Sequence, residues 1–310
     1  MRAPVVLALA LLLGIPTFAN AGSKSPVLMW ADSLRHVQVN GADLAYVDVG
    51  QGDAVVLVHG QLTDYRVWTN QIADLAKDYR VIAYSRRYHY PNKGGGDGKD
   101  YSVALHEKDL LGLLDALHLD SAHLIGISYG GTVAAWLASE HPERVRSLVL
   151  VEPAIPELMT GAPRDSEYTS ERRLMSAQTR MALQDGFIEL GAARVVEWFY
   201  GEGAVDALPK AVRMWIGQNA DALRMQYVSN APAMPFDAGH LAHIMCPVLY
   251  VEGQKSPWHA QAMAERFVKR LPATRLVVVK RVDQGMMWED ARAFNRAVMS
   301  FLDGQHLASE

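Results

Sequence analysis

The sequence predicts an α/β fold, a doubly wound and mostly parallel sheet with an inserted helical cap, and three observations carry that reading. From residue 54 onward, apolar runs of strand length alternate with amphipathic stretches of helix length, the order that covers a parallel sheet on both faces. The run Ala54-Val55-Val56-Leu57-Val58 is apolar without a break, as a strand buried on both sides must be. Late in the chain, about ninety residues of mostly helical pattern, 155–245, separate two strand-like runs, too long for a connection and long enough for a cap.

The elements follow in order. Leu34 to Val39 and Ala42 to Val49 alternate as strands, and Asn40-Gly41 between them is a hairpin turn sequence. Gln51-Gly52-Asp53 turns the chain into the strand Ala54 to Val58, which ends in His59-Gly60-Gln61. A helix is expected from Trp68 to Lys77, then a strand from Arg80 to Tyr84. The irregular stretch Ser85 to Pro91 runs into a flexible Gly94-Gly95-Gly96 linker. Val103 to Leu117 reads as a helix. Leu124 to Ile127 climbs to Ser128, and a helix pattern begins at Thr132. Val145 to Val151 is the strand before the cap. After it come a strand at Pro247 to Val251, a helix at His259 to Arg270, a strand at Thr274 to Val282 and a helix at Glu289 to Leu302. The expected division is core at 22–154 and 246–310, with the cap at 155–245.

Composition narrows the function classes. The 310 residues are half hydrophobic, enough for one large α/β domain with an insertion. A net charge of −4 with scattered lysine and arginine excludes nucleic acid as the main partner, since phosphate binding needs a concentrated basic face. A small-molecule substrate is the expected partner.

The N-terminus places Arg2 before the apolar run Val5 to Leu13, then Gly14, Pro16 and Ala19-Asn20-Ala21, the layout of a signal peptide over 1–21 with cleavage before Gly22. The run falls short of the about 20 residues a spanning helix needs, so stable membrane insertion is not expected and the mature protein should be secreted or periplasmic. Cys246 is the sole cysteine, which excludes an intramolecular disulfide. His240-x-x-His243 lacks carboxylate or cysteine ligands at a recognisable spacing, so neither metal nor cofactor is expected.

The chemistry gathers at Gly126-x-Ser128-x-Gly130-Gly131. A serine on a tight turn between strand and helix is pushed above the sheet edge, and the helix that follows aims its positive end at the same spot. With His59-Gly60 and the late insertion, these residues make the chain resemble an α/β-hydrolase with a helical cap, over nearly all of the mature sequence. The resemblance implies Ser128 as nucleophile, with the backbone N–H groups of Gln61 and Tyr129 as the oxyanion hole. It also implies a pocket drawing on His59, Gly60, Met286, Met287 and Trp288, with Trp68 reading as pocket or core, and with Trp198, Met214 and Trp215 of the cap reading as core packing first and pocket lining second.

Two positions depart from the family pattern. Where many members carry Gly-x-x-Asp, this chain reads Gly253-Gln254-Lys255-Ser256. A minority place the acid after the preceding strand, where Glu152 stands. Glu152 reads either as the acid that orients a base or as a carboxylate capping the loop near Arg144 or Arg146. The catalytic histidine is replaced: Gln284 occupies the equivalent position, Gly285 being the next best. A glutamine amide cannot accept and return a proton as imidazole does. His259, His89, His240 and His243 are the histidines that could stand in.

The implied function is an exported serine hydrolase, esterase-like, acting on an ester, thioester or lactone-type bond of a small apolar substrate. The alternative is a non-hydrolytic use of the pocket by a ligand-binding protein, lyase, cyclase or isomerase that has given up the triad histidine.

Overall fold

Among the residues described by the computed structural model, 30–309 apart from 93–96, 207–209, 232–235 and 237, eight strands form one sheet. They are β1 (Leu34–Val39), β2 (Ala42–Val49), β3 (Ala54–Val58), β4 (Arg80–Tyr84), β5 (Ala122–Ile127), β6 (Val145–Val151), β7 (Val248–Gly253) and β8 (Arg275–Val279). Their order across the sheet is β1-β2-β4-β3-β5-β6-β7-β8. The pairs β1–β2 and β2–β4 are antiparallel and every later pair is parallel. The expected signal peptide, 1–21, and the Gly94-Gly95-Gly96 linker lie outside the described residues.

Period-two geometry splits β3 between the two sides. Val55 and Leu57 pack with Trp68, Ile72 and Phe294, whereas Val56 and Val58 pack with Leu110, Val133 and Phe267. Each such side chain, fully buried, contributes about 1.5–3 kcal/mol from its apolar area. The helices over the two faces are α1 (Thr69–Leu75), α2 (Val103–Ala116) and α3 (Tyr129–Glu140), followed after the insertion by α9 (Trp258–Arg270), α10 (Met286–Glu289) and α11 (Ala291–Ser309). The insertion holds α4 (Pro163–Gln184), α5 (Ile188–Tyr200), α6 (Lys210–Gln218), α7 (Ala220–Val228) and α8 (Ala238–Ala242), all between β6 and β7.

Asp64, on the loop after β3, ties this helical segment to the sheet. Its carboxylate is fully buried and accepts from Arg66 Nε at 2.7 Å, Trp215 Nε1 at 2.7 Å and Asn219 Nδ2 at 2.8 Å. Asn219 turns its Oδ1 to the Tyr90 N–H at 3.0 Å, so one buried group joins two core loops to α6 and α7. Cys246 is half-buried just before β7, and burial pushes its thiol up to about 12.

Three boundaries differ most from expectation. The helix after Ser128 starts at Tyr129 rather than Thr132, because the serine corner already sends its carbonyl to the Thr132 N–H at 3.1 Å. β8 stops at Val279, and the chain then turns through Arg281 at φ 67. The last helix is broken at Asp290, whose extended φ of −139 separates α10 from α11.

Candidate active site

The corner at Ser128 is built by backbone. Ser128 sits at φ 50, ψ −122, a conformation that L residues hold only where the surroundings force it. Its N–H donates to Val151 O at 3.0 Å and its carbonyl accepts from Ala154 N at 3.1 Å. The flanking glycines are there for clearance. A Cβ at Gly126 would stand 2.6 Å from Gly130 O, and one at Gly130 would collide with the carbonyls of Val58 and His59. The Ser128 hydroxyl does not cap the helix it precedes, so it is not spent on structure.

The loop expected to supply an oxyanion donor lies against this corner. A Cβ at Gly60 would be 3.5 Å from Ser128 Cβ. The Gly60 carbonyl accepts from Arg86 Nη2 at 2.9 Å and from Thr63 Oγ1 at 3.1 Å, and His59 Nδ1 donates to it at 2.9 Å. A trans peptide puts N–H opposite C=O in one plane, so these three bonds leave the Gln61 N–H on the opposite edge of that peptide. Arg86, 1% exposed, also donates Nε to His59 O at 3.1 Å, and its guanidinium lies 4.6 Å from the Tyr129 ring centroid. One buried cation thus holds both residues that would supply the oxyanion donors.

Glu152 lies at the end of β6 with φ 42, and its side chain is turned away from Arg144 and Arg146, which pair with Asp115 and Asp53. Its carboxylate accepts from Gly253 N at 2.8 Å and, through a very short bond, from the Ser256 hydroxyl. Burial pushes it up to about 7 against the pull of those two donors, helped by the nearby charges of Glu252 and Asp283. The serine at the family's aspartate position therefore serves a carboxyl that arrives from the neighbouring strand. The Gln284 amide makes only a long contact, 3.5 Å, to the backbone carbonyl of Glu152. Beside it, burial and the Asp283 carboxylate raise Glu289 to about 7.

Ser128, Gln61, Tyr129, Glu152 and Gln284 all line one cavity of about 840 Å³. A smaller apolar compartment of about 100 Å³ adjoins it, sharing Ser128, Gln61 and Gln284 and adding Gly60 and Trp288. The pocket roles expected for His59, Trp68, Met286 and Met287 are corrected by the structure. His59 is fully buried with both ring nitrogens occupied: Nε2 accepts from Arg86 N at 2.9 Å while Nδ1 meets Gly60 O. Burial holds its pKa well below the ordinary histidine value. Trp68, Met286 and Met287 are fully buried in the core between α1 and α11. From the helical insertion, Trp198 lines the large cavity, Trp215 is spent on Asp64, and Met214 is exposed.

Of the four histidines that could stand in as base, His259 alone lines the large cavity, among the described residues. It stacks on Trp198 at 5.3 Å and lies 5.2 Å from the Tyr168 ring, and burial lowers its pKa. His89 Nδ1 donates to Thr63 O at 2.8 Å, His240 packs on Trp136, and His243 is exposed. Sequence reasoning missed Arg86, one of two adjacent arginines with no spacing signal. It also missed Arg172, Ser176 and Arg180, which line the large cavity from α4. Their repeat of four residues on a polar helix was the available signal.

A model described as the alpha/beta hydrolase fold matches residues 53–291. A 2-hydroxy-6-oxo-2,4-heptadienoate hydrolase of Pseudomonas putida is 36% identical over 56% of this chain and 71% of its own length. A 3-oxoadipate enol-lactonase of Acinetobacter baylyi is 25% identical over 88% of this chain and 97% of its own. Among solved structures, the carboxylesterase CesB of Bacillus subtilis superposes with a TM-score of 0.69 at 22% identity, covering 87% of this chain and 91% of that one.

Proposed function

The chain belongs to the alpha/beta hydrolase fold family, and from that premise we propose that it cleaves an ester, thioester or lactone-type bond of a small, largely apolar substrate through Ser128. The observation that carries this reading is the Ser128 corner, strained at φ 50 with a hydroxyl uncommitted to the helix and facing a cavity shared with Gln61 and Tyr129. In the proposed reaction, Ser128 Oγ bonds to the carbonyl carbon while the Gln61 and Tyr129 N–H groups hold the oxyanion. Fixed donors of this kind lower the barrier by about 2.7–4 kcal/mol each. The intermediate then expels the alcohol or thiol, which takes up the serine proton, and water releases the acyl group as its acid.

The proton path departs from the familiar triad. Gln284 orients water and cannot hold the proton itself. Glu152 and Glu289, both raised to about 7, are carboxyls on the cavity wall whose acid and base forms are both populated near neutral pH, and Glu152 is the one at the end of the strand beside the Ser128 corner. Turnover should be slow, since a serine site without its imidazole retains only about 10³–10⁴-fold acceleration from oxyanion hole and binding.

A second reading is favoured by one observation, the glutamine at the histidine position. An oxyanion hole beside a carboxyl poised near 7 suits proton transfer next to a carbonyl in a lyase, cyclase or isomerase. A p-nitrophenyl ester panel assayed with wild type, Ser128→Ala and Gln284→His separates the two. Turnover abolished by Ser128→Ala supports hydrolysis. No Ser128-dependent turnover in wild type, with a large gain in Gln284→His, means that the natural chain does not hydrolyse.

Export and a separate cap at 155–245 belong to the same proposal. Mature protein recovered from a secreted or periplasmic fraction should begin at Gly22. None of the described helices is long and apolar enough to cross a membrane.

A further inference from the structure

Gln61 is anchored twice. The carbonyl of the peptide that precedes it, Gly60 O, accepts from Arg86 Nη2 at 2.9 Å, a bond between the loops after β3 and β4. Its side chain is held by the helical insertion instead, where Gln61 Nε2 donates to Gln226 Oε1 of α7 at 3.0 Å. Gln226 Oε1 also receives the Tyr101 hydroxyl at 3.5 Å, and Tyr101 OH accepts from Arg86 Nη1 at 3.3 Å. The contacts close a ring through Arg86, Gly60, Gln61, Gln226 and Tyr101, with one member supplied by the insertion.

Helix α7 is seated well enough to serve as the anchor. At its N-terminal end Asn219 Nδ2 donates to the buried Asp64 carboxylate at 2.8 Å. Just past its C-terminal end Ser229 Oγ reaches the carbonyls of Lys99 and Tyr101, each at 2.9 Å. Between them Ala222 and Met225 pack with Tyr88 and Tyr101, and a Cβ at Gly98 would strike the Met225 side chain. Residues 222, 225 and 226 share a helix face, so the packing that seats Met225 turns Gln226 toward the same loops. Gln61 and Gln226 both line the cavity that holds Ser128.

We propose that Gln226 is a positioning residue, which clamps the Gln61 side chain and so fixes the Gln61 N–H where an oxyanion would form. That N–H lies between the two anchors, the Gly60 carbonyl on one side and the Gln61 side chain on the other. With either anchor gone the peptide can swing, and a donor that must be aimed during the reaction loses the advantage of one fixed beforehand. This role rests on the hydrolase reading, in which the Gln61 N–H meets the oxyanion. Through it the insertion helps build the reactive corner as well as wall the cavity.

The test compares wild type with Gln226→Met, Gln61→Met and the double variant on p-nitrophenyl butyrate, and times fluorophosphonate labelling of Ser128. Gln61→Met keeps the backbone N–H and loses only the side-chain bond. Each single change should lower kcat and the labelling rate by about tenfold, less than the about 10²–10³-fold that removing a donor outright costs, while KM moves less than about twofold. The double variant should lose no more than about twofold beyond either single one, since both break the same contact. Gln226→Asn, too short to reach Gln61, should repeat the loss, and thermal melts check that each variant folds.

Ester turnover by wild type, with kcat and labelling unchanged in folded Gln226→Met and Gln226→Asn, upholds hydrolysis and overturns the clamp. Losses in the two single variants that multiply in the double one overturn it as well. So does a rise in KM alone, which would mark Gln226 as a substrate contact. Labelling that slows in the variants although wild type turns over no ester upholds the clamp and rejects the hydrolase reading. A wild type that neither turns over ester nor takes the label rejects both.

Discussion

Glu152 bends its backbone to φ 42 and directs its carboxyl into the loop after β7, where Gly253 and Ser256 receive it. Its folded value, about 7, lies above the ordinary 4.5, so the folded state binds the proton more tightly than the unfolded one. Stability from this group is complete below about 4.5 and is lost as pH rises through 7, a swing of roughly 3 kcal/mol at about 1.4 kcal/mol per unit. Glu152→Gln should therefore gain in melting temperature relative to wild type as pH is raised from about 5 to 8. If Glu152 relays the proton, esterase activity of wild type should also climb through about 7, and the Gln variant should lose that limb. Arg86 is a second single-residue test. Because its guanidinium fixes the carbonyls of His59 and Gly60, Arg86→Met should slow fluorophosphonate labelling of Ser128 by about tenfold or more while KM changes little. Arg86→Lys, which keeps the charge but loses the fork, should recover only part of it.

Among the elements, the β5 strand, its glycine corner and α3 were legible from the sequence because clearance around Ser128 allows few residue types. The β1–β2 hairpin was legible for a similar reason, with Asn40 at φ 47 and Gly41 at φ 74 filling the turn. That helices fill the chain between β6 and β7 was legible, while their attachment was not. Asp64, Trp215 and Asn219 are far apart in sequence and carry no pattern linking them, yet they meet at one buried carboxylate. Removing that carboxylate strands the buried Trp215 N–H and Asn219 amide, each costing about 1–3 kcal/mol. Asp64→Ala should lower the melting temperature and speed hydrogen exchange in α6 and α7 before it does so in β3 or β5.

For the molecule as a whole, topology brings the ends of β3, β5, β6 and the loop after β8 to one cavity, which is why Gln61, Ser128, Glu152 and Gln284, far apart in sequence, all line it. Side-chain direction was the unreadable part. His59 and Met286 stand next to site residues in sequence but point into packed interior, a choice set by neighbours such as Arg86 that no spacing rule reveals. Three buried histidines, His59, His89 and His106, each held well below the usual value by burial and the Arg86 charge, bound the pH range of the fold on the acid side. Their folded values lie under 6.5, so stability present above about 6.5 should fall as acid charges them, visible as a steepening loss of melting temperature below about pH 6. The lone sulfhydryl before β7 has a practical corollary. A thiol whose ionisation is deferred to about 12 reacts sluggishly with maleimides at neutral pH. The wild-type chain thus offers a nearly silent background, in which a reporter dye on one engineered cysteine in α4 and a second in the loop after β4 would track the spacing of the two halves during turnover.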